Sequence, residues 1–316
     1  MRVGLALLAA LAAAPLLVQS DAMLNLGVTV LIVALAAQGW NIVGGLAGQL
    51  SFGHAAFYGT GAYAAAVLQV RYGWNAYAAA GAGVLAGAAL GAAIGAAVFR
   101  AGLRGSYFAL VTLAFAEVLR IVANALSVTG GAAGLLLPLD VRATNFQFGS
   151  RGAFYGLALA CVIAALALTL WITRSRFGAH LAAVRENEDA ARALGIDAFR
   201  VKLQAMTLSA AITAAAGVLY LQYYLYIDSG IAYGTGVSVA ALLAPVIGGV
   251  GTVLGPVMGA VALEVLGVLT RQGIETMGAG SRAGVDQMLF GALLIVAIAF
   301  MPGGLAGGLA KRAARR

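Results

Sequence analysis

Apolar segments of about 20 residues recur along the whole chain, and this repetition limits the possible fold more than any other feature. A segment of that length crosses a hydrocarbon core of roughly 30 Å as an α-helix. The other structure that spans a bilayer is a β-barrel, whose short strands alternate in hydrophobicity, and these runs do not alternate. The sequence therefore predicts an all-α, polytopic membrane protein.

The composition agrees with this prediction and limits the possible partners. Of 316 residues, 62% are hydrophobic and 9% are charged, against roughly 25% charged residues in a soluble domain. The net charge of +8 would favour nucleic acid as a partner of a soluble protein. Basic and aromatic residues are not interleaved on a polar stretch here, so no nucleic-acid partner is expected.

Ten runs are candidates for membrane spans of a single transmembrane domain over residues 1–316. The eighth and ninth are too short to cross as straight helices, so some spans are expected to be short or broken. The first resembles a secretory signal, but another apolar run follows almost at once, which favours a retained span. The runs are 4–18, 22–43, 51–70, 76–98, 105–127, 151–173, 204–226, 237–250, 257–270 and 285–301.

Positive charges orient the predicted spans, because basic residues are enriched on the cytosolic side of a membrane. If both termini face the cytosol, thirteen basic residues lie inside and five lie outside. Arg120 remains within a span. The five outer residues are Arg71, Arg142, Arg151, Arg271 and Arg282. This asymmetry predicts that both termini are in the cytosol.

Residues 174–202, here called the island, contain ten of the chain's thirty charged residues and face the cytosol in this orientation. Within the island, residues 185–196 are typical of a short surface helix ended by Gly195, because glycine readily adopts the left-handed turn. Small alanines would let such a helix lie in a cleft of a partner protein. The alternative is an ordinary solvated loop helix. The candidate docking residues are Arg185, Glu186, Asn187, Glu188, Asp189, Ala190, Ala191 and Gly195.

Glycines mark three further places. Residues 44–54 and 248–256 are glycine-rich breaks between apolar runs, here called the first and second breaks. Such breaks often mark unwound helices beside a substrate path in transporters, and the alternative is a pair of tight turns. Glycines at 83, 87, 91 and 95 lie on one helical face and predict close packing against another helix.

A few polar residues within the runs are candidates for a translocation path or gate. Charges inside a bilayer are costly and usually face protein or water, so Glu117 forms either an intrahelical pair with Arg120 or part of a gate. Glu264 is either an inter-helix hydrogen bonder or a path residue. His54 is more often a packing residue, and no cysteine or second histidine beside it offers a metal site. The candidates are Gln49, Ser51, His54, Thr112, Glu117 and Glu264.

Five segments carry a resemblance to a known family. Residues 41–63, 107–117, 129–131, 186–191 and 290–305 resemble, in order, the permeases of branched-chain amino-acid ABC importers of the LivM type. The match covers nearly the whole chain, which makes it more specific than any single motif. It implies the fold of an ABC importer permease.

Within that resemblance, the spacing from Asp189 to Gly195 is similar to the acidic-Ala-Ala-x-x-x-Gly loop by which such permeases engage their ATPases. The sequence departs from the pattern in two places. Asp189 stands where the general pattern prefers glutamate, and Gly303 follows Pro302 where relatives often carry a basic residue. Neither departure removes the resemblance.

The resemblance implies a non-catalytic translocation subunit in a bacterial cytoplasmic (inner) membrane. Its partners would be a second, similar permease, two ATPase subunits that hold ATP and magnesium, and a periplasmic substrate-binding protein. The residues support one part of this independently. A phosphate-binding loop needs lysine followed by serine or threonine, whereas Lys202 precedes Leu203 and Lys311 precedes Arg312. No cofactor is therefore expected on this chain.

Three other functions remain open at this point. A permease of the same architecture could carry urea or short amides. An ion-coupled secondary transporter would use Glu117, Glu264 and Asp286 as coupling sites. A membrane scaffold that transports nothing is the third, and the glycine breaks argue against it.

Overall fold

The computed structural model describes residues 20–276, together with Gly291 and Leu305. The first predicted run, 4–18, lies outside the described residues, as do nearly all of the tenth, 285–301, and Asp286. The other eight runs each coincide with one or two helices, and the irregular segments between them contain only two short strands in the described part.

Eleven α-helices lie within residues 20–276. They are α1 (Asp21–Trp40), α2 (His54–Tyr72), α3 (Ala76–Arg100), α4 (Gly105–Ala125), α5 (Arg151–Arg174), α6 (Arg176–Glu186), α7 (Glu188–Ala193), α8 (Ala198–Tyr224), α9 (Ser229–Tyr233), α10 (Thr235–Gly248) and α11 (Gly255–Thr276). A π-helix, Asn41–Leu46, continues α1 directly. Short 3-10 turns occur at Gly131–Ala133 and Ala143–Asn145.

Six helical segments in the described part are long and apolar enough to cross a membrane. They are Asp21–Leu46, Ala76–Arg100, Gly105–Ala125, Arg151–Arg174, Ala198–Tyr224 and Ser229–Gly248. Gly255–Thr270 is a shorter apolar helix. The predicted count of about ten spans and the orientation of both termini are therefore not confirmed, although the multi-pass helical architecture is.

Helix α2 has 19 residues and yet is absent from those six, because it carries polar side chains along its length. Eleven of its residues are buried, and it packs against α3 and α8. A helix enclosed by protein does not need a continuous apolar surface, since lipid does not solvate it. The segment Asp21–Leu46 is likewise central. In its most apolar stretch 78% of the residues are buried, whereas only 28% are buried in the most apolar stretch of α4.

The glycine stripe on α3 packs as predicted. A side chain at Gly87 or Gly91 would collide with the methyl groups of Ala214 or Ala210 on α8. One on Gly83 would collide with the carbonyl of Gly61 on α2. Between helices in a membrane, van der Waals packing takes the place of the hydrophobic effect, and small residues permit it by letting the backbones approach closely. The stripe therefore locks α3 onto α8 and α2.

The two ends of this bundle differ. At one end, here called the sheet end, β1 (Leu135–Leu136) pairs antiparallel with β2 (Tyr226–Ile227), so that Leu135 lies opposite Ile227. At the other, here called the island end, α6 and α7 connect the last residue of α5 to the start of α8. The charged residues of the island are thus gathered at one end of the membrane helices.

Candidate functional site

The island forms two helices, where the sequence predicts one short helix over residues 185–196 that is ended by Gly195. Helix α6 ends at Glu186, and Asn187 adopts an extended conformation with φ −157° and ψ 105°. The Asn187 side-chain oxygen accepts hydrogen bonds from the backbone N–H groups of Asp189 (3.1 Å) and Ala190 (3.0 Å). Asparagine is a preferred N-cap for this reason. It therefore separates Arg185 and Glu186 from the helix that carries Asp189.

The predicted glycine ending is confirmed. Gly195 has φ +85°, the left-handed conformation that glycine adopts without steric cost. The N–H of Ile196 then donates to the carbonyl of Ala191 at 3.1 Å, which closes the end of α7.

Helix α7 has one buried face and one exposed face. Ala191 is buried in an apolar cluster with Leu181 and Val184 of α6 and with Ile42 and Leu46 of the π-helix. The opposite face exposes Asp189, Ala190, Ala193 and Leu194. Leu194 is 82% exposed. The buried face thus fixes the helix to the membrane bundle, while its other face remains accessible.

Glu188 is the electrostatic centre of the island. Its carboxylate, only 7% exposed, accepts from Lys202 Nζ at 2.8 Å and from Arg192 Nη2 at 2.6 Å, and it pairs with Arg104 Nε at 3.2 Å. The Lys202 ammonium also lies 4.9 Å from the centre of the Phe99 ring. A buried charge is tolerated when it is paired and hydrogen-bonded. This network joins α7 to the ends of α3, α4 and α8.

Asp189 interacts with the same arginine from the solvent side. Arg104 Nη2 donates to Asp189 Oδ1 at 3.1 Å, and the Asp189 side chain is 74% exposed. This hydrogen bond lowers the pKa of the Asp189 carboxyl and raises the pKa of Arg104. Arg104 therefore connects both neighbouring carboxylates to the start of α4.

The two glycine-rich breaks meet in space, which defines the glycine junction: residues 38–48 and 249–253. The Asn41 side chain accepts from Gly251 N at 2.8 Å and donates to the carbonyl of Thr252 at 3.0 Å. Gln38 Nε2 donates to the carbonyl of Val253 at 2.8 Å. The backbones are so close that a Cβ on Gly45 would lie 2.6 Å from Gly251 N. The first break starts as a π-helix, and the second is the turn between α10 and α11.

Three of the predicted path candidates lie close together but are buried within the chain. Ser51 and His54 are 0% exposed and Thr112 is 2% exposed. The backbone N–H of Phe52 donates to Thr112 Oγ1 at 3.2 Å, and Trp40 Nε1 donates to the carbonyl of Ser51 at 2.8 Å. These contacts fix the segment that enters α2. A path role for these residues stays a prediction.

His54 makes a packing contact, the more ordinary of its two interpretations. Its Nε2 lies 2.9 Å from Ser209 Oγ, and that hydroxyl donates to the carbonyl of Gly39 at 2.6 Å. Because the hydroxyl has a single hydrogen, His54 Nε2 must donate to Ser209. The chain of hydrogen bonds joins α2 to α8 and α1.

The remaining path candidates are dispersed. The predicted Glu117–Arg120 pair is confirmed, with Arg120 Nε 2.9 Å from Glu117 Oε2. The Glu117 and Arg120 side chains are 44% and 37% exposed at the surface of the chain. Gln49 is half-buried just after the π-helix, and Glu264 is half-buried on α11. In the described part of the chain, no three His, Cys, Asp or Glu side chains come together in a way that could hold a metal ion.

Sequence reasoning missed three features of this site. Asn41 is separated by 210 positions from its partner Gly251, and no pattern of spacing connects them. Lys202 served only as a boundary of the island, although it is a buried lysine. Leu194 was detectable, since it is an isolated apolar residue in a polar segment.

In the described part of the chain, six helical segments are long enough to cross a bilayer, and they define a multi-pass membrane protein. The family described as branched-chain amino acid transport system / permease component matches residues 22–298. The chain therefore belongs to this family of transport-system permeases.

Named relatives agree with the family match. The chain is 33% identical over 217 residues to the high-affinity branched-chain amino acid transport system permease protein LivM of Escherichia coli K12, covering 60% of this chain and 50% of that protein. It is 32% identical over 243 residues to LivM of Salmonella typhimurium, covering 68% of this chain and 56% of that protein. The match therefore spans about half the length of each LivM relative.

A second group of relatives carries a different name. The chain is 27% identical over 234 residues to the permease protein LivH of Escherichia coli K12, covering 70% of this chain and 75% of that protein. Both LivM and LivH are named as permeases of a high-affinity branched-chain amino acid transport system. No solved structure matches the chain.

Proposed function

We propose that this chain is the translocation subunit of an ATP-driven importer of branched-chain and other hydrophobic amino acids. It would lie in a bacterial cytoplasmic membrane with the island end and both termini in the cytosol. The names of the LivM and LivH relatives support this cargo. The charge asymmetry of the sequence supports the orientation.

The single observation that carries the proposal is the exposed face of α7 on a firmly anchored base. Leu194, Ala190 and Ala193 offer an apolar surface small enough to enter a cleft, and the charges around it would fix its register. Two ATPase subunits, which would bind the ATP and Mg²⁺, are the partners proposed for this surface and for its counterpart on a second permease.

The second permease would lie against α4. Tyr107, Leu110 and Ile121 are exposed on this helix, and the partly exposed Glu117–Arg120 pair lies on it as well. A charged pair within a span is costly against lipid and is accommodated against protein or water. The proposed translocation path therefore runs between α4 and the second permease, with Glu117 beside it.

A mechanism follows from how the island is fixed. Closure of the ATPases on ATP would displace α7, and the Glu188 network would move the ends of α3, α4 and α8 with it. Rigid-body movement of packed helices can then expose the path alternately to each side of the membrane. A periplasmic binding protein would deliver the amino acid at the sheet end.

The test is reconstitution of this chain with the proteins that co-purify with it. We expect a second permease and ATPases in the preparation, and ATP-dependent uptake of leucine in the presence of the binding protein. Urea serves as the comparison solute. Uptake by this chain alone, driven by a proton or sodium gradient without ATP, would overturn the proposal.

A further inference from the structure

We propose that Arg185 is the positioning residue that transmits movement of the island to the glycine junction. The inference rests on the proposed function and adds to it the side chain through which the cytosolic helices act on the broken membrane helices.

Arg185 is the last arginine of α6, and its guanidinium adjoins both glycine breaks. Its Nη1 donates to the carbonyl of Gly45 at 3.2 Å. The same nitrogen lies 3.6 Å from where a Cβ on Gly251 would be. On its other side, Nη2 is paired with Glu186 at 2.9 Å. One side chain of the island thus hydrogen-bonds the first break and lies beside the second.

The first break is shaped to receive this side chain. Gly48 has φ +69°, and a Cβ there would lie 2.6 Å from Arg185 Cγ. The aliphatic stem of Arg185 therefore rests on the bare backbone of Gly48, while the guanidinium reaches Gly45. A residue other than glycine at position 48 would displace the arginine.

The Gly45 carbonyl lies in an irregular part of the backbone. It belongs to the π-helix Asn41–Leu46, a rare geometry that often occurs at functional sites. The same π-helix contains Asn41, which holds Gly251 and Thr252. Displacing Gly45 would therefore shift the turn between α10 and α11 as well as the end of α1.

The other contacts between the island and the first break lack this directionality. Leu181, Val184 and Ala191 of the island share one apolar cluster with Leu46 and Ala47, and apolar contact is not directional. Within residues 20–276, Arg185 is the one island side chain that hydrogen-bonds to either break. A directional contact that one displacement can break suits a link between two states.

The experiment compares coupling ratios in the reconstituted complex, measured as leucine molecules imported per ATP hydrolysed. Arg185→Gln should lower this ratio by about tenfold, the effect of losing one charge-assisted hydrogen bond, while subunit co-purification stays unchanged. Arg185→Lys should recover part of the ratio, because its ammonium can still donate to Gly45. Arg200→Gln is the matched control, since Arg200 is 79% exposed in the same island and pairs with Asp197.

A second variant tests the same contact from the other side. Gly48→Ala should lower the ratio as Arg185→Gln does, and the double variant should be no worse than either one, because two changes to one contact are not additive. A normal ratio in Arg185→Gln, or effects that add in the double variant, would overturn the inference. Absence of ATP-driven leucine uptake in the wild-type complex would instead overturn the proposed function, and this inference with it.

Discussion

The two faces of α7 use neighbouring carboxylates in opposite ways. Glu188 is 7% exposed and contacts three cationic side chains, which are Arg192 on α7 itself, Arg104 just before α4 and Lys202 on α8. Asp189 is 74% exposed, and within the described residues Arg104 is the one cation that hydrogen-bonds to it. One residue along the helix thus separates a structural anchor from a surface available for binding.

This difference indicates a division of labour within six residues. The buried face, with Glu188 and Ala191, determines where the helix sits on the membrane bundle. The exposed face, with Leu194 at its end, carries few internal contacts and is free for a partner. Substitutions on the two faces should therefore separate stability from ATPase binding.

The largest expected effect is from Glu188→Gln on the buried face. It would leave the buried ammonium of Lys202 without its charged partner, which costs about 3–5 kcal/mol in comparable buried pairs. We expect a correspondingly lower free energy of unfolding, measured by denaturation of the purified chain in detergent. Glu186→Gln is the control, because the Glu186 side chain is 73% exposed. Equal stability of the two variants would contradict the anchoring role.

How far the sequence predicts this site depends on the range of the contacts involved. The Gly195 turn and the Glu117–Arg120 pair are local, with partners within a few positions, and both are confirmed. The helix break at Asn187 is also local but was missed, because its N-cap role competes with the surrounding helix-favouring residues.

The remaining contacts are long-range and no periodicity encodes them. The motif drew attention to Asp189, whereas the buried carboxylate is Glu188, whose cations Arg104 and Lys202 lie just before α4 and on α8. The glycine breaks were visible, but only the fold shows that they meet and that Asn41 holds the second break. For the same reason the helices were predictable from hydrophobicity and their packing was predictable only at the glycine stripe.

The next effect concerns the exposed face. Leu194→Ser should weaken association with the ATPase subunits by about tenfold or more, since burying a leucine side chain contributes roughly 1.5–3 kcal/mol. Titration of the permease pair with purified ATPase would measure this, with the stability of the chain unchanged. Leu136→Ser is the matched control, because Leu136 is 70% exposed at the sheet end. Unaltered affinity in Leu194→Ser would place the ATPase contact elsewhere.

A smaller effect on stability and on ATPase affinity is expected at Gly195, where α7 ends. Gly195→Ala has free space around its Cβ, so its cost is the left-handed backbone alone, about 1–2 kcal/mol for an L-residue. We expect faster amide hydrogen exchange in α7 and a modest loss of ATPase affinity. Gly156→Ala, also in open space but on α5 without a positive φ, should show neither change. Unchanged exchange in Gly195→Ala would mean that the turn does not hold the helix end.

The smallest effect belongs to Asp189, and it should depend on pH. The hydrogen bond from Arg104 holds the pKa of this carboxyl below its ordinary value of 3.8. Its contribution to stability is therefore fully present above that pH and is lost as the pH falls through the lowered pKa. The stability difference between wild type and Asp189→Asn should stay small and constant from pH 7 to about 5 and shrink only below about 4. Thermal unfolding in detergent at each pH would measure this difference. A difference that already changes between pH 7 and about 5 would show that a group other than Asp189 titrates at the exposed face.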